Sequence, residues 1–202
     1  MGFRFLLFAC LGAFAPLVCA QICGPSPDVQ SALDQVPSYQ RADQSKYEFV
    51  QARPAAIRAL MRRYPGNVFI QRAYIGAMPD RLKIIAEYQV LHNQRPDDSY
   101  IAYLYGTTLL GRDTPQAIQL FNAALEKSPN FPWPHLQFVS IYSTPNFLDK
   151  AKAISHAKAF LSACPAAFKV YSALGELGDN DLNRQAAEAS AATMPWKSGS
   201  LE

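Results

Sequence analysis

The chain has 202 residues, is 50% hydrophobic and 17% charged, and carries a formal net charge of +3. That is the composition of an ordinary globular chain, long enough for one domain or a short repeat array. The charge is too mild for a nucleic-acid surface, which needs basic residues gathered on one face; the densest group, Arg58, Arg62 and Arg63, falls on the polar side of one helix and reads as a solvated face.

In chain order, the first segment is "MGFRFLLFACLGAFAPLVCA". One cation at Arg4, an apolar run from Phe5 to Val18 and small residues before Gln21 are the layout of a secretory signal peptide over residues 1–20. The run is shorter than the roughly 20 residues a membrane span needs, so no span is expected in the mature chain. Neither Cys19 nor Cys23 follows the small residue of a lipidation signal. Cleavage would remove Cys10 and Cys19 and leave Cys23 and Cys164, an even count that permits a disulfide in an oxidising compartment. A mobile Cys23 beside Gly24 and Pro25, with Cys164 a small buried residue at a helix end, is the alternative reading.

Residues 21–52 are expected to hold one or two capping helices, in "PDVQSALDQV" and "DQSKYEFVQ". From residue 53 proline punctuation takes over. "RRYPGN", "NQRPDD", "EKSPNF" and "SACPAA" place Pro65, Pro96, Pro129 and Pro165, separated by 31, 33 and 36 residues. These spacings bracket the 34-residue period, roughly, of a helical-hairpin repeat. Proline is cheap at a helix end and in a first turn, where N–H groups have no intrahelical partner. Pro129 therefore closes one helix, while Pro132 and Pro134 open the next.

Apolar stripes at helical spacing precede each proline: Ile57, Leu60, Met61 and Tyr64; Ile84, Tyr88 and Leu91; Ala117, Leu120, Phe121, Ala124 and Leu125; and Leu148, Ala151, Ile154, Ala157 and Leu161. The pattern predicts helices over 55–64, 68–78, 81–93, 98–110, 115–127, 132–143, 147–162, 166–176 and 180–193. Thr114 before Pro115 reads as an N-cap, and Asp98 or Ser99 as another. Residues 195–202, "PWKSGSLE", form a tail outside the fold.

"YLYGTTLLGRDTPQAIQLFNAALEKSP" resembles the tetratricopeptide repeat (TPR), with Ala117, Phe121, Ala124 and Pro129 in register with the second-helix signature. The resemblance covers residues 53–194, by motif in one repeat and by periodicity in the others. It implies an all-α chain whose antiparallel helix hairpins stack into a right-handed superhelix, a TPR-like α-solenoid. It also implies a concave face lined by first helices, where the register puts Phe69, Arg72, Tyr100, Tyr103, Trp133 and Leu136. Large aromatics there suit a bound peptide or helix, or else they pack between repeats. Chaperone-binding members of the family clamp a C-terminal carboxylate with Lys and Asn; the matching slots here hold Arg72, Gly76, Tyr103 and Thr107, which do not support that specificity.

No sequence motif points to an enzyme, and a hydrolase whose triad assembles from distant segments is a minor third reading. His92, His135 and His156 lie at no i, i+4 spacing, and H-E-x-x-H, C-x-x-C, G-x-S-x-G, P-loop and G-x-G-x-x-G patterns are missing from the sequence. The expectation is an exported, non-enzymatic scaffold without cofactor or metal, binding a protein or peptide. In the alternative, "FPWPHLQFVSIY" and "AKAFLSACP" are similar to helical-repeat regions that precede the catalytic domain in exported bacterial thioredoxin-superfamily proteins. This chain would then be the accessory part of such an oxidoreductase.

Overall fold

The computed structural model of the protein describes residues 23–37, 43–165 and 184. The expected signal peptide, the tail and, apart from residue 184, the helices expected over 166–176 and 180–193 lie outside the described residues. Every regular element among the described residues is helical: α1 Pro27–Asp34, α2 Lys46–Arg63, α3 Val68–Ala77, α4 Arg81–Gln94, α5 Ser99–Leu109, α6 Thr114–Lys127, α7 Trp133–Tyr142, a 3-10 turn Pro145–Phe147, and α8 Lys150–Ala163.

Side-chain caps set where the helices start. Asn67, Asp80, Asp98, Asp113 and Asp149 each accept a backbone N–H from the first turn of α3, α4, α5, α6 and α8, at 3.0–3.2 Å, which satisfies donors that have no partner within the helix. Asp113 thereby displaces Thr114, the cap expected from the sequence, and puts Pro115 in the first turn. A carboxylate one residue earlier is the better acceptor, and it also faces the positive end of the helix. Pro65, Pro96 and Pro129 lie exposed in the links 64–67, 95–98 and 128–132, and Pro165 is exposed just after α8. Gly66 adopts φ +76°, a left-handed turn that a side chain would strain.

Two expectations are corrected. The segments expected as separate helices around residue 52 form one helix, α2, with Pro54 in its interior. A capping box starts it: the Ser45 hydroxyl accepts from the Glu48 N–H at 3.2 Å, and the Glu48 carboxylate accepts from the Ser45 N–H at 2.8 Å. An interior proline costs about 3 kcal/mol, here opposed by burial of Pro54 itself and of Ile57 one turn on. In α8 the buried stripe is Ala153, Ala157, Phe160 and Leu161. Leu148 is 57% exposed and Ala151 is exposed, because the cap at Asp149 starts the helix after Leu148.

The first helices α3, α5 and α7 lie side by side, α3 against α5 and α5 against α7. Small residues decide how near the second helices come. A Cβ added at Gly106 would stand 2.7 Å from Cε1 of Phe121, so α5 and α6 approach closely because Gly106 has no side chain. Ala102, Ala117 and Ala124 are also fully buried. α3 and α4, by contrast, are not among the closely approaching pairs, and tyrosines span the space between them. The Tyr88 hydroxyl donates to Gln71 Oε1 at 3.2 Å, and the Tyr74 hydroxyl donates to Glu87 Oε2 at 3.1 Å while accepting from Arg58.

The disulfide Cys23–Cys164 joins the segment before α1 to the end of α8, across 141 residues of sequence.

Phe121→Ala should lower unfolding stability by about 3–5 kcal/mol, the range for emptying a buried aromatic site. Gly106→Ala should destabilise despite the better helix propensity of Ala, whereas Gly76→Ala, with nothing within 4 Å of the added carbon, should be neutral or stabilising. Urea unfolding of the three variants checks all of these; a stabilised Gly106→Ala would mean that Phe121 can yield.

Candidate functional site

The six residues assigned to a concave face divide between surface and core. Tyr103 is fully buried, with its ring 5.2 Å from Phe131 and 5.9 Å from Phe121, and its hydroxyl accepts from Gln137 Nε2 at 3.4 Å. It is a core residue, because its position on α5 points between α6 and the link into α7 rather than outward. Burial raises its phenol pKa, consistent with that environment. Leu136 is half-buried and packs against the core.

Trp133 is only 9% exposed. Its ring lies edge-on to Phe69 at 5.4 Å and to Phe160 at 5.7 Å, and the Arg72 guanidinium covers it at 4.2 Å from the ring centre. Arg72 is therefore held as a cation–π partner instead of projecting from a rim. Tyr100 is 43% exposed and rests on Phe131 at 4.6 Å.

Phe69, Tyr100, Phe131 and Trp133 line a cleft of roughly 500 Å³, closed on another side by Tyr64, Asn67 and residues of α1. A second hollow of roughly 530 Å³ is bordered by Phe69, Arg72, Ala73 and Arg81, again with α1. The sequence reading brought Phe69, Tyr100 and Trp133 to one face, but it missed Phe131. That ring stands in the link before α7, outside any helical stripe, and only its place in "SPNFPWP" marks it.

The reading also missed a histidine pair, because the two residues come from different helices. His135 Nδ1 and His156 Nδ1 lie 2.9 Å apart. One ring must then carry its proton on Nδ1 and the other leave Nδ1 free to accept. His156 is stacked on Phe138 at 4.4 Å and on Tyr142 at 5.8 Å. His92, on α4, is tilted against Tyr105 at 5.7 Å and belongs to a different part of the molecule. Among the described residues no group of three His, Cys, Asp or Glu side chains could hold a metal ion, and no helix is long and apolar enough to cross a membrane.

No protein-family model matches the sequence, and no curated protein matches it. The fold does match solved structures. One crystal structure of MamA superposes with a TM-score of 0.54 at 12% identity, covering 73% of this chain and 92% of that one. A second crystal structure of MamA gives a TM-score of 0.54 at 13% identity, covering 76% of this chain and 89% of that one. At such identity the likeness speaks for fold alone. Among the described residues the chain is all-helical, and its fold is TPR-like, similar to that of the helical-repeat protein MamA.

The histidine pair gives this fold an acid-sensitive point. Burial, then His135 and then Lys152 push His156 down to about 4 from 6.5, and burial also lowers His135. Both groups thus bind protons more weakly folded than unfolded. Their contribution to stability is complete above pH 6.5 and is lost as the pH falls towards 4. With the discount that partial exposure demands, the loss should be about 1–2 kcal/mol. Glu48 and Asp149, whose carboxyl pKa values are lowered, act in a more acid window, starting from ordinary values of 4.5 and 3.8. In denaturant titrations His156→Gln should flatten the slope between pH 6.5 and 4.5 and leave the more acid limb in place. An unchanged slope would place the acid sensitivity elsewhere.

Proposed function

We propose that this protein is an exported, non-enzymatic scaffold whose helix hairpins form a right-handed TPR-like superhelix, and that it binds a protein or peptide segment on the face built by α3, α5 and α7. The observation that carries the reading is the cleft between Phe69, Tyr100 and Trp133, in which aromatic residues from three successive first helices meet at one surface. Rings placed this way bury much area at little entropic cost and serve as anchors in interfaces. The TPR-like fold supports the same reading, since such repeats stack to present extended binding surfaces. Arg72 and Arg81 beside the second hollow favour an acidic group on the bound segment. No nucleic acid and no cofactor enter this reading.

Export is supported by the signal-peptide layout of residues 1–20 and by the Cys23–Cys164 bond, of a kind that persists in oxidising compartments. Secreted material should begin at Gln21, which N-terminal sequencing reads directly. No observation among the described residues favours the accessory part of a thioredoxin-like oxidoreductase.

An array of peptides probed with the full chain tests the binding face. Tyr100→Ser should weaken retained peptides by at least about 1 kcal/mol, the threshold for a contributing interface residue, while helical content stays unchanged. Arg72→Ala should weaken the acidic peptides most. Trp133→Ala should reduce both binding and stability, because its ring also packs on Phe160. Unaltered binding by Tyr100→Ser and Arg72→Ala together would move the interaction to another face.

A further inference from the structure

α1 lies across the face assigned to a partner. Its Asp28 and Val29 flank borders the cleft with Tyr100 and Trp133, while its Gln30 and Leu33 flank borders the hollow with Arg72. Phe69 lines both, so the helix crosses the face at that ring.

Two further facts describe how α1 is held. It buries Val29 and Ala32, yet it is not among the closely approaching helix pairs. At 8 residues it is also far shorter than the length at which isolated helices persist in water. Its N-terminal end is anchored covalently, by Cys23 to Cys164 at the end of α8.

We propose that α1 is an internal occupant of the partner-binding face, and that thiol–disulfide exchange at Cys23–Cys164 controls whether a partner helix can replace it. The proposal rests on the protein-binding reading of the face and adds the chemistry of the ligand. α1 displays what the face accepts: a short amphipathic helix with small, branched or β-branched apolar residues at the spacing of Val29, Ala32 and Leu33, continued by Val36 just past its end. Helix-in-groove recognition uses this spacing.

The exchange has a defined direction. Cys164 is 1% exposed, whereas Cys23 is only half-buried, so the Cys23 side of the bond is the more open to an incoming thiolate. A dithiol reductant attacks there and forms a mixed disulfide, and Cys164 leaves as a thiolate that takes up a proton. The second thiol of the reductant then displaces Cys23, which also becomes a thiol, and the reductant departs as its own disulfide. Two electrons pass from the dithiol to the Cys23–Cys164 bond. Of its two covalent ties α1 then keeps only the chain connection towards α2, and the effective concentration that kept it on the face falls.

The test uses the full chain and a fluorescein-labelled peptide of residues 23–37 carrying Cys23→Ser. Binding is measured by anisotropy on the oxidised protein, on the protein reduced with dithiothreitol, and on the Cys23→Ser protein. Hydrogen exchange of α1 and of α5–α6 is followed in the same samples. We expect at least tenfold tighter peptide binding, and at least tenfold faster α1 exchange, in the reduced and Cys23→Ser forms, with α5–α6 protected throughout. Val29→Asp should admit the peptide even with the disulfide intact, which keeps the test decisive if Cys23→Ser folds poorly. Equal affinity and equal α1 exchange in oxidised and reduced protein would overturn the gate. Should the peptide bind every form equally and Phe69→Ala abolish that binding, the face stands and the gate alone falls. Faster α1 exchange on reduction with no peptide binding in any form would sink the binding face, and the proposal with it.

Discussion

The approach of α6 to α5 over Gly106 is the constraint from which most of the packing follows. With no Cβ at that position the Phe121 ring fits against the backbone of α5, where an added carbon would stand 2.7 Å from it. Once seated, Phe121 meets Tyr103 at 5.9 Å and Phe138 at 5.8 Å, and so ties the α5–α6 pair to α7. From Phe138 the ring contacts continue to His156 on α8, and from Tyr103 they continue through Phe131 to Tyr100 at the surface. One small residue therefore sets the position of a chain of rings that runs from Tyr100 on α5 through Phe121 on α6 and Phe138 on α7 to His156 on α8. Interiors packed at crystal-like density transmit such a local constraint, because no void is available to absorb it.

Neighbouring helix pairs solve the same problem with different side chains. Where α5 and α6 use Gly and Ala to come close, α3 and α4 stay apart and fill the space with Tyr74 and Tyr88. Large buried phenols need partners, and each has one: Gln71 for Tyr88, and Glu87 with Arg58 for Tyr74. Polar groups also close the links. Arg81 Nη2 donates at 2.9 Å to the Thr108 carbonyl near the end of α5, and Lys127 reaches the Pro96 carbonyl and the Asp97 carboxylate in the link before α5. The first of these bonds satisfies a carbonyl in the last turn of α5 that the helix leaves open, and all of them join residues some 30 positions apart, which is the spacing of one repeat.

The surface that results is part aromatic cleft and part cation held over an indole. Arg72 stacked over Trp133 shields the ring from water while keeping its own charge at the surface. The N-terminal helix lies on the same face, tied by a disulfide to the opposite end of the described chain. Phe69 borders both hollows that α1 flanks, and the disulfide fixes the chain just before that helix.

Proline spacing, apolar stripes and the Ala117/Phe121/Ala124 register determined the helical architecture from sequence alone, because each is a local property: a proline is cheapest at a helix end or in a first turn, and a stripe must be buried by something. The same locality explains what the sequence reading placed wrongly. Thr114 sits directly before Pro115 and so reads as the cap, and only the folded link shows Asp113 accepting the N–H. The helix expected to start at residue 55 instead runs on from Lys46, with the buried ring of Pro54 inside it. Tyr100 and Tyr103 are three residues apart on one helix and look alike in sequence, yet one is 43% exposed and the other fully buried. That difference, the pairing of His135 with His156, and the position of α1 over Phe69 depend on elements distant in sequence, so only the tertiary structure could decide them.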